Sequence, residues 1–142
     1  MKVPTPLISN VLSETESKET RKEKINYLQK HRDNKVLREL LRYVFDSEVT
    51  FALPEGSPPY EPNQFAEPHD SGLYRELRKF YLFIEPVNPN VHQIKRESLF
   101  IDLLESLHPD EAKLVCAVKD KKLPYKGITK KLVKDAFPDL SI

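Results

Sequence analysis

Prolines and glycines constrain this chain more than any other feature of its sequence. Twelve prolines and only three glycines occur among 142 residues, and most prolines stand between stretches whose apolar residues recur at helical spacing. Proline interrupts helices and central strands, whereas a scarcity of glycine favours helices joined by stiff connections. The sequence therefore predicts an all-α fold, a single compact domain of six to seven helices spanning residues 1–142.

The clearest predicted helix is the third, which can be capped at its first turn by Asp33 or Asn34. Its broad apolar stripe consists of Val36, Leu37, Leu40, Leu41, Val44 and Phe45. These positions share one face of a helix with 3.6 residues per turn. Such a stripe indicates a helix that lies against the core.

The other predicted helices also begin at residues suited to helix starts. Thr20 and Glu23 can form a capping box in the second helix, and Asp70 and Ser71 can cap a fourth. Pro109 suits the first position of a sixth helix. The apolar face of the fifth helix is predicted to hold Ile94, Leu99, Phe100, Leu103, Leu104 and Leu107. The remaining helices are predicted at about 7–12, 18–31, 73–84, 109–121 and 129–137.

The helical pattern breaks in a long Pro-rich loop at about residues 47–69, where residues 49–53 can form a short extended piece. A loop of this length is unusual in a compact domain. It is therefore either functional or draped over the core, with Tyr60 and Phe65 as anchors.

Several classes of site are not indicated by the residues present. The single cysteine, Cys116, cannot form an internal disulfide and is best interpreted as a small buried apolar residue. The four histidines lack metal-ligand spacing, and no Gly-rich phosphate loop or nucleophile elbow occurs. No apolar run approaches the ~18 residues of a membrane span, and the start does not resemble a signal peptide. We therefore expect a cytoplasmic, non-enzymatic protein without metal, cofactor or membrane.

Positive charge is concentrated in one segment near the end of the chain. Seven lysines and one aspartate lie between residues 119 and 134, a net charge of +6, although the whole chain carries only +1. The rest of the chain therefore carries −5. Gly127 and the potential cap Thr129 precede a helix start, which together with lysines is typical of a phosphate-binding corner. The alternative is a solvated helix end whose lysines only maintain solubility.

Both ends of the chain resemble the N-terminal DNA-binding domain of phage-type ATP-dependent DNA ligases. The C-terminal resemblance rests on Lys126-Gly127-Ile128-Thr129 followed by 132–133 and 136–140, where an aromatic-proline turn closes a glycine-led helix. The N-terminal resemblance rests on 7–12, 24–28, 33–34 and 37–45, and the central one on 100–107 and 110–118. The chain departs from ligases in lacking their Lys-x-Asp-Gly motif. Its loop at 53–68 has no ligase counterpart and is similar to a stretch in small proteins of T4-like phages.

The resemblance implies a stand-alone module that grips double-stranded DNA through phosphates on the minor-groove side. Absence of arginine from the basic segment favours binding that is salt-sensitive and indifferent to sequence. By position, the implied contacts are Lys126, Gly127, Ile128, Thr129, Lys130, Lys131 and Lys134, with Lys119, Lys121 and Lys122 added from charge alone. The alternative is a protein-interaction module, a host-takeover factor or virion component, whose loop at 53–60 contacts other phage or host proteins.

Overall fold

The computed structural model describes residues 7–65 and 72–142, and its architecture confirms the all-α prediction. The helices are α1 (Ile8–Ser17), α2 (Arg21–Gln29), α3 (Lys35–Phe45), α4 (Gly72–Glu76), a 3-10 helix (Leu77–Leu82), α5 (Gln93–Ser106), α6 (Pro109–Lys119) and α7 (Lys130–Ala136). Within these described ranges, the seven α-helices match the upper end of the predicted number. Asp70 and Ser71, the predicted caps of the fourth helix, lie outside the described residues.

Side-chain caps set the starts of four helices, α2, α3, α6 and α7. The Thr20 hydroxyl accepts a hydrogen bond from the Glu23 amide at 3.2 Å, so α2 begins three residues later than its predicted limit of 18. Asn34, rather than Asp33, caps α3 by accepting from the Leu37 amide. These bonds satisfy amide groups that a helix start leaves without an intrahelical partner.

The core forms around α6, which packs against α1, α3 and α5. The predicted stripe of α3 turns towards this core: Leu37, Leu40 and Leu41 are almost completely buried. Pro109 occupies the first turn of α6 as predicted, and Cys116 is buried among apolar neighbours. Burial raises the pKa of the Cys116 thiol, which is consistent with an unreactive core residue.

A buried carboxylate joins α6 to the start of α1. Both Glu111 oxygens accept hydrogen bonds, at 2.7 Å from the Ile8 amide and 2.8 Å from the Ser9 amide. Burial raises the pKa of Glu111, although these amide bonds oppose the rise. Glu111 thus caps α1 from another helix, which explains how α1 begins without a side-chain cap from Leu7.

The fourth predicted helix is divided into α4 and the 3-10 helix. Phe80 and Phe83 are both buried, and Leu77 packs against the same core. Residues spaced by three, such as Leu77, Phe80 and Phe83, lie on one face of a helix that has about 3.0 residues per turn. The prediction of a single α-helix here was therefore wrong in helix type.

Ile94 was expected on the buried face of α5, but it is 84% exposed. The buried residue of this turn is Arg96, whose guanidinium donates to the carbonyls of Leu82, Asn88 and Val91. Residues that are two positions apart in an α-helix, such as Ile94 and Arg96, point about 200° away from each other around the helix axis. Burying Arg96 therefore turns Ile94 towards solvent, and the expectation for Ile94 was wrong.

Part of the Pro-rich loop lies against the helices. Phe51 and Ile84 form an isolated antiparallel bridge where a short extended piece was predicted. Tyr60 packs against the core as an anchor, whereas Phe65 is 92% exposed, so the prediction that Phe65 anchors the loop was wrong. Among the helices in the described ranges, none has the length and apolar character needed to cross a membrane.

Candidate nucleic-acid interface

The basic end of the chain is built on α7, which packs against α2. Leu132, Val133 and Ala136 form its buried face. The Thr129 hydroxyl caps the helix as predicted, accepting from the Leu132 amide at 3.2 Å. Arg21 of α2 also forms a solvent-exposed ion pair with Asp135 of α7.

Four lysines of this region are exposed, and we call them the α7 lysine patch: Lys126, Lys130, Lys131 and Lys134. Lys130 and Lys134 are four residues apart and therefore share one helix face, and Lys131 is next to it. Within residues 7–65 and 72–142, their ammonium groups form no salt bridge with a carboxylate. The patch thus presents four positive charges to solvent.

The turn before α7 contains Gly127 in the left-handed region, with φ of +81°. A Cβ atom added there would lie 3.1 Å from Cε of Lys24, so the Lys24 side chain passes directly over the glycine. The Lys24 ammonium donates to the Lys18 carbonyl at 2.5 Å. The structure thus gives Gly127 a local role, in its backbone conformation and the approach of Lys24, and close approach of a phosphate stays a prediction.

The other two residues of this predicted motif have different surroundings. Ile128 is buried and packs in the core, so its side chain cannot contact a ligand on the surface. The Lys126 amide donates to Oε2 of Glu16 at 2.5 Å, which connects the turn to the last part of α1. Sequence reasoning missed Glu16 and Lys24, because no pattern links them to residues about a hundred positions away.

Two of the lysines predicted from charge alone donate hydrogen bonds to backbone carbonyls in or next to the Pro-rich loop. The Lys119 ammonium is buried and donates to the carbonyls of Pro54 and Gly56 and to the Asp120 carboxylate. The Lys121 ammonium donates to the carbonyls of Asp46 and Val49, and burial lowers its pKa. The Lys119 ammonium is buried with three acceptors, so its side chain cannot contact a phosphate at the surface. Lys121 is only partly buried, and its contact with phosphate stays a prediction.

Lys122 is exposed, but it is not isolated from negative charge. Its ammonium lies 3.4 Å from a carboxylate oxygen of Glu55, and both side chains are largely exposed. An exposed pair of this kind is weak and can exchange partners. Lys122 therefore remains available to a ligand without belonging to the α7 lysine patch.

The described residues contain no cluster of three or more histidine, cysteine, aspartate or glutamate side chains placed to hold a metal ion. The Pro-rich loop and α5 line a partly open cavity of about 260 Å³ that is bordered by Pro58, Phe100 and Ile101. The buried ammonium of Lys119 borders this cavity, but its three donors already have acceptors. This lining holds the loop and offers a small ligand mainly apolar contacts.

The chain matches a protein family of unknown function, DUF6433, over residues 11–125. No curated protein and no solved structure matches the sequence. The matched segment ends immediately before Lys126, so it includes α2, which packs against α7, but not the α7 lysine patch. Because the match covers most of its 142 residues, the chain belongs to the DUF6433 family.

Proposed function

We propose that this protein is a non-enzymatic module that binds double-stranded DNA through the phosphate backbone without reading its sequence. The observation that carries the proposal is the α7 lysine patch, four exposed ammonium groups that form no salt bridge among the described residues. Lysine binds phosphate as a point charge, whereas base recognition favours bidentate arginine. The resemblance to the DNA-binding domain of ligases supports duplex DNA as the ligand and contact on its minor-groove side.

The arrangement of the patch suits a phosphate backbone. Lys130, Lys131 and Lys134 lie on one short helix whose opposite face is buried, so their ammonium groups share one side of the molecule. Lys126 extends the charge into the preceding turn. A row of such charges displaces counterions from DNA, and that release drives binding.

Fluorescence anisotropy with a labelled duplex at two salt concentrations tests the proposal. If all four patch lysines contact phosphates, the slope of log K against log salt is about −3.6, and affinity falls roughly a hundredfold between ~50 and ~200 mM salt. The glutamate variant of Lys126, Lys130, Lys131 and Lys134 should lose binding. Duplexes of unrelated sequence should bind equally.

The control variant reverses the same number of exposed basic residues elsewhere, at Lys30, Lys35, Arg78 and Lys95, none of which forms a salt bridge with a carboxylate of the described residues. It has the same net charge as the patch variant, so a difference between the two reports the location of the charge. The proposal is wrong if wild type shows no saturable binding at low salt. Equal binding by the two variants would reject the assigned surface.

Exposure of Phe65 favours a second candidate function, docking of another phage or host protein on the Pro-rich loop. The predicted contact segment at 53–60 is partly held by Lys119, which leaves Phe65 as the apolar group most open to a partner. A pull-down that survives high salt and nuclease, and that Phe65→Ser abolishes, would support docking. Capture unchanged by Phe65→Ser would count against it.

A further inference from the structure

Glu16 accepts a hydrogen bond from a backbone amide in the surface that we assign to DNA. Its carboxylate accepts from the Lys126 amide at 2.5 Å, although the two residues are 110 positions apart in the chain. Both residues are exposed, so the contact lies at the surface of the molecule. A carboxylate and a phosphodiester are both anionic acceptors for a backbone N–H group.

We propose that Glu16 is an internal competitor of a DNA phosphate: its carboxylate holds the Lys126 amide in the free protein and is displaced when DNA binds. The inference rests on the proposed function. It follows from the location of the contact, because Lys126 belongs to the α7 lysine patch and its amide is already paired with an anion. DNA must then either leave this amide unused or replace Glu16.

Displacement is structurally feasible because Glu16 is exposed and lies near the end of α1, one residue before Ser17. Its side chain can turn into solvent without disturbing buried groups. The Lys126 ammonium and the Lys24 ammonium near Gly127 remain to attract the incoming phosphate. Glu16 therefore lowers DNA affinity in two ways, by occupying the amide and by placing a negative charge beside the patch.

Three variants separate these effects. Glu16→Ala removes both the acceptor and the charge, whereas Glu16→Gln removes the charge and keeps an oxygen that can accept from the Lys126 amide. Glu19→Gln is the matched control. Glu19 is exposed and lies three residues after Glu16, and its substitution removes the same charge. All are measured in the full chain by anisotropy with the duplex used for wild type.

We expect Glu16→Ala to tighten duplex binding by about tenfold, the effect of freeing one amide from a charged acceptor. Glu19→Gln should change affinity by no more than about twofold, because a solvent-exposed charge is screened by salt. Glu16→Gln should fall between them. In NMR spectra of the free proteins, the Lys126 amide resonance of Glu16→Ala should differ from that of wild type. Once both proteins are saturated with DNA, the two resonances should coincide.

The outcomes distinguish the two proposals. If wild type binds no duplex DNA, the proposed function is wrong and the competitor role falls with it. If wild type binds and Glu16→Ala gains no more affinity than Glu19→Gln, the function stands and the competitor role is rejected. Lys126 resonances that still differ between wild type and Glu16→Ala at saturation would also reject it.

Discussion

Replacing Lys119 with methionine should destabilise the protein substantially without weakening DNA binding. The Lys119 ammonium donates to Pro54 O at 2.7 Å, Gly56 O at 2.5 Å and Asp120 Oδ1 at 2.6 Å. Only 2% of its side chain is exposed. Methionine fills a similar volume but cannot donate, so the variant removes these bonds with little change in packing.

The expected loss of unfolding free energy depends on whether the three acceptors find other donors in the variant. A hydrogen bond to a charged group contributes about 1.5–3 kcal/mol, and breaking a buried pair on one side costs about 3–5 kcal/mol. Pro54 and Gly56 belong to an exposed stretch of the loop that can rearrange, and Asp120 keeps the Gly56 amide as a donor. These compensations reduce the expected loss to about 2–4 kcal/mol. That loss corresponds to a fall in Tm of about 10 °C for a chain of this size.

Urea and thermal unfolding followed by circular dichroism measure this loss, with Lys122→Met as the control. The Lys122 side chain is 71% exposed and its ion pair with Glu55 lies in solvent, so we expect less than about 1 kcal/mol from that variant. Hydrogen exchange at the Gly56 amide should accelerate in Lys119→Met, because the loop loses its attachment. A loss no larger than that of Lys122→Met would refute the assignment, as would reduced duplex affinity in folded Lys119→Met.

Two further predictions concern the basic turn and an alkaline transition. Gly127→Ala and Gly56→Ala both place alanine at positive φ and should each lose about 1–2 kcal/mol in urea unfolding. Gly127→Ala should lose more unfolding free energy than Gly56→Ala, because its Cβ would lie 3.1 Å from the Lys24 side chain, whereas a Cβ at Gly56 has no neighbour within 4 Å. Equal losses in the two variants would argue against a role for Lys24. Burial raises the pKa of Tyr125 to about 12, so the folded chain keeps this phenol proton after the unfolded chain has lost it at about pH 10. The free energy of unfolding should therefore fall across that interval, less steeply in Tyr125→Phe, and identical slopes would contradict the assignment.

The helices could be predicted from sequence because their signals are local. The stripe of α3, the caps Thr20, Asn34 and Thr129, and Pro109 at the start of α6 each involve residues within one or two turns. Such patterns depend on helical geometry that is the same in every protein. The α4 region was harder, because the same apolar spacing is compatible with an α-helix or a 3-10 helix.

The candidate site could be predicted only in part, because lysines of one run have different neighbours in the fold. Lys119 and Lys121 turn towards carbonyls of residues that lie more than sixty positions earlier in the chain. Lys130 and Lys134 face solvent because the opposite side of α7 packs against α2. Charge counted along the sequence contains no information on these long-range contacts.

This division of the lysines changes the strength of binding that we expect. Seven phosphate contacts would give a salt slope of about −6.3, whereas the four lysines of the α7 lysine patch give about −3.6. If the proposed function holds, four backbone contacts without base recognition would hold DNA weakly at physiological salt, and a single copy should dissociate rapidly. Longer retention would then require a second contact, which raises the effective concentration. A measured slope steeper than about −5 for the isolated protein would instead mean that lysines outside the patch reach the DNA.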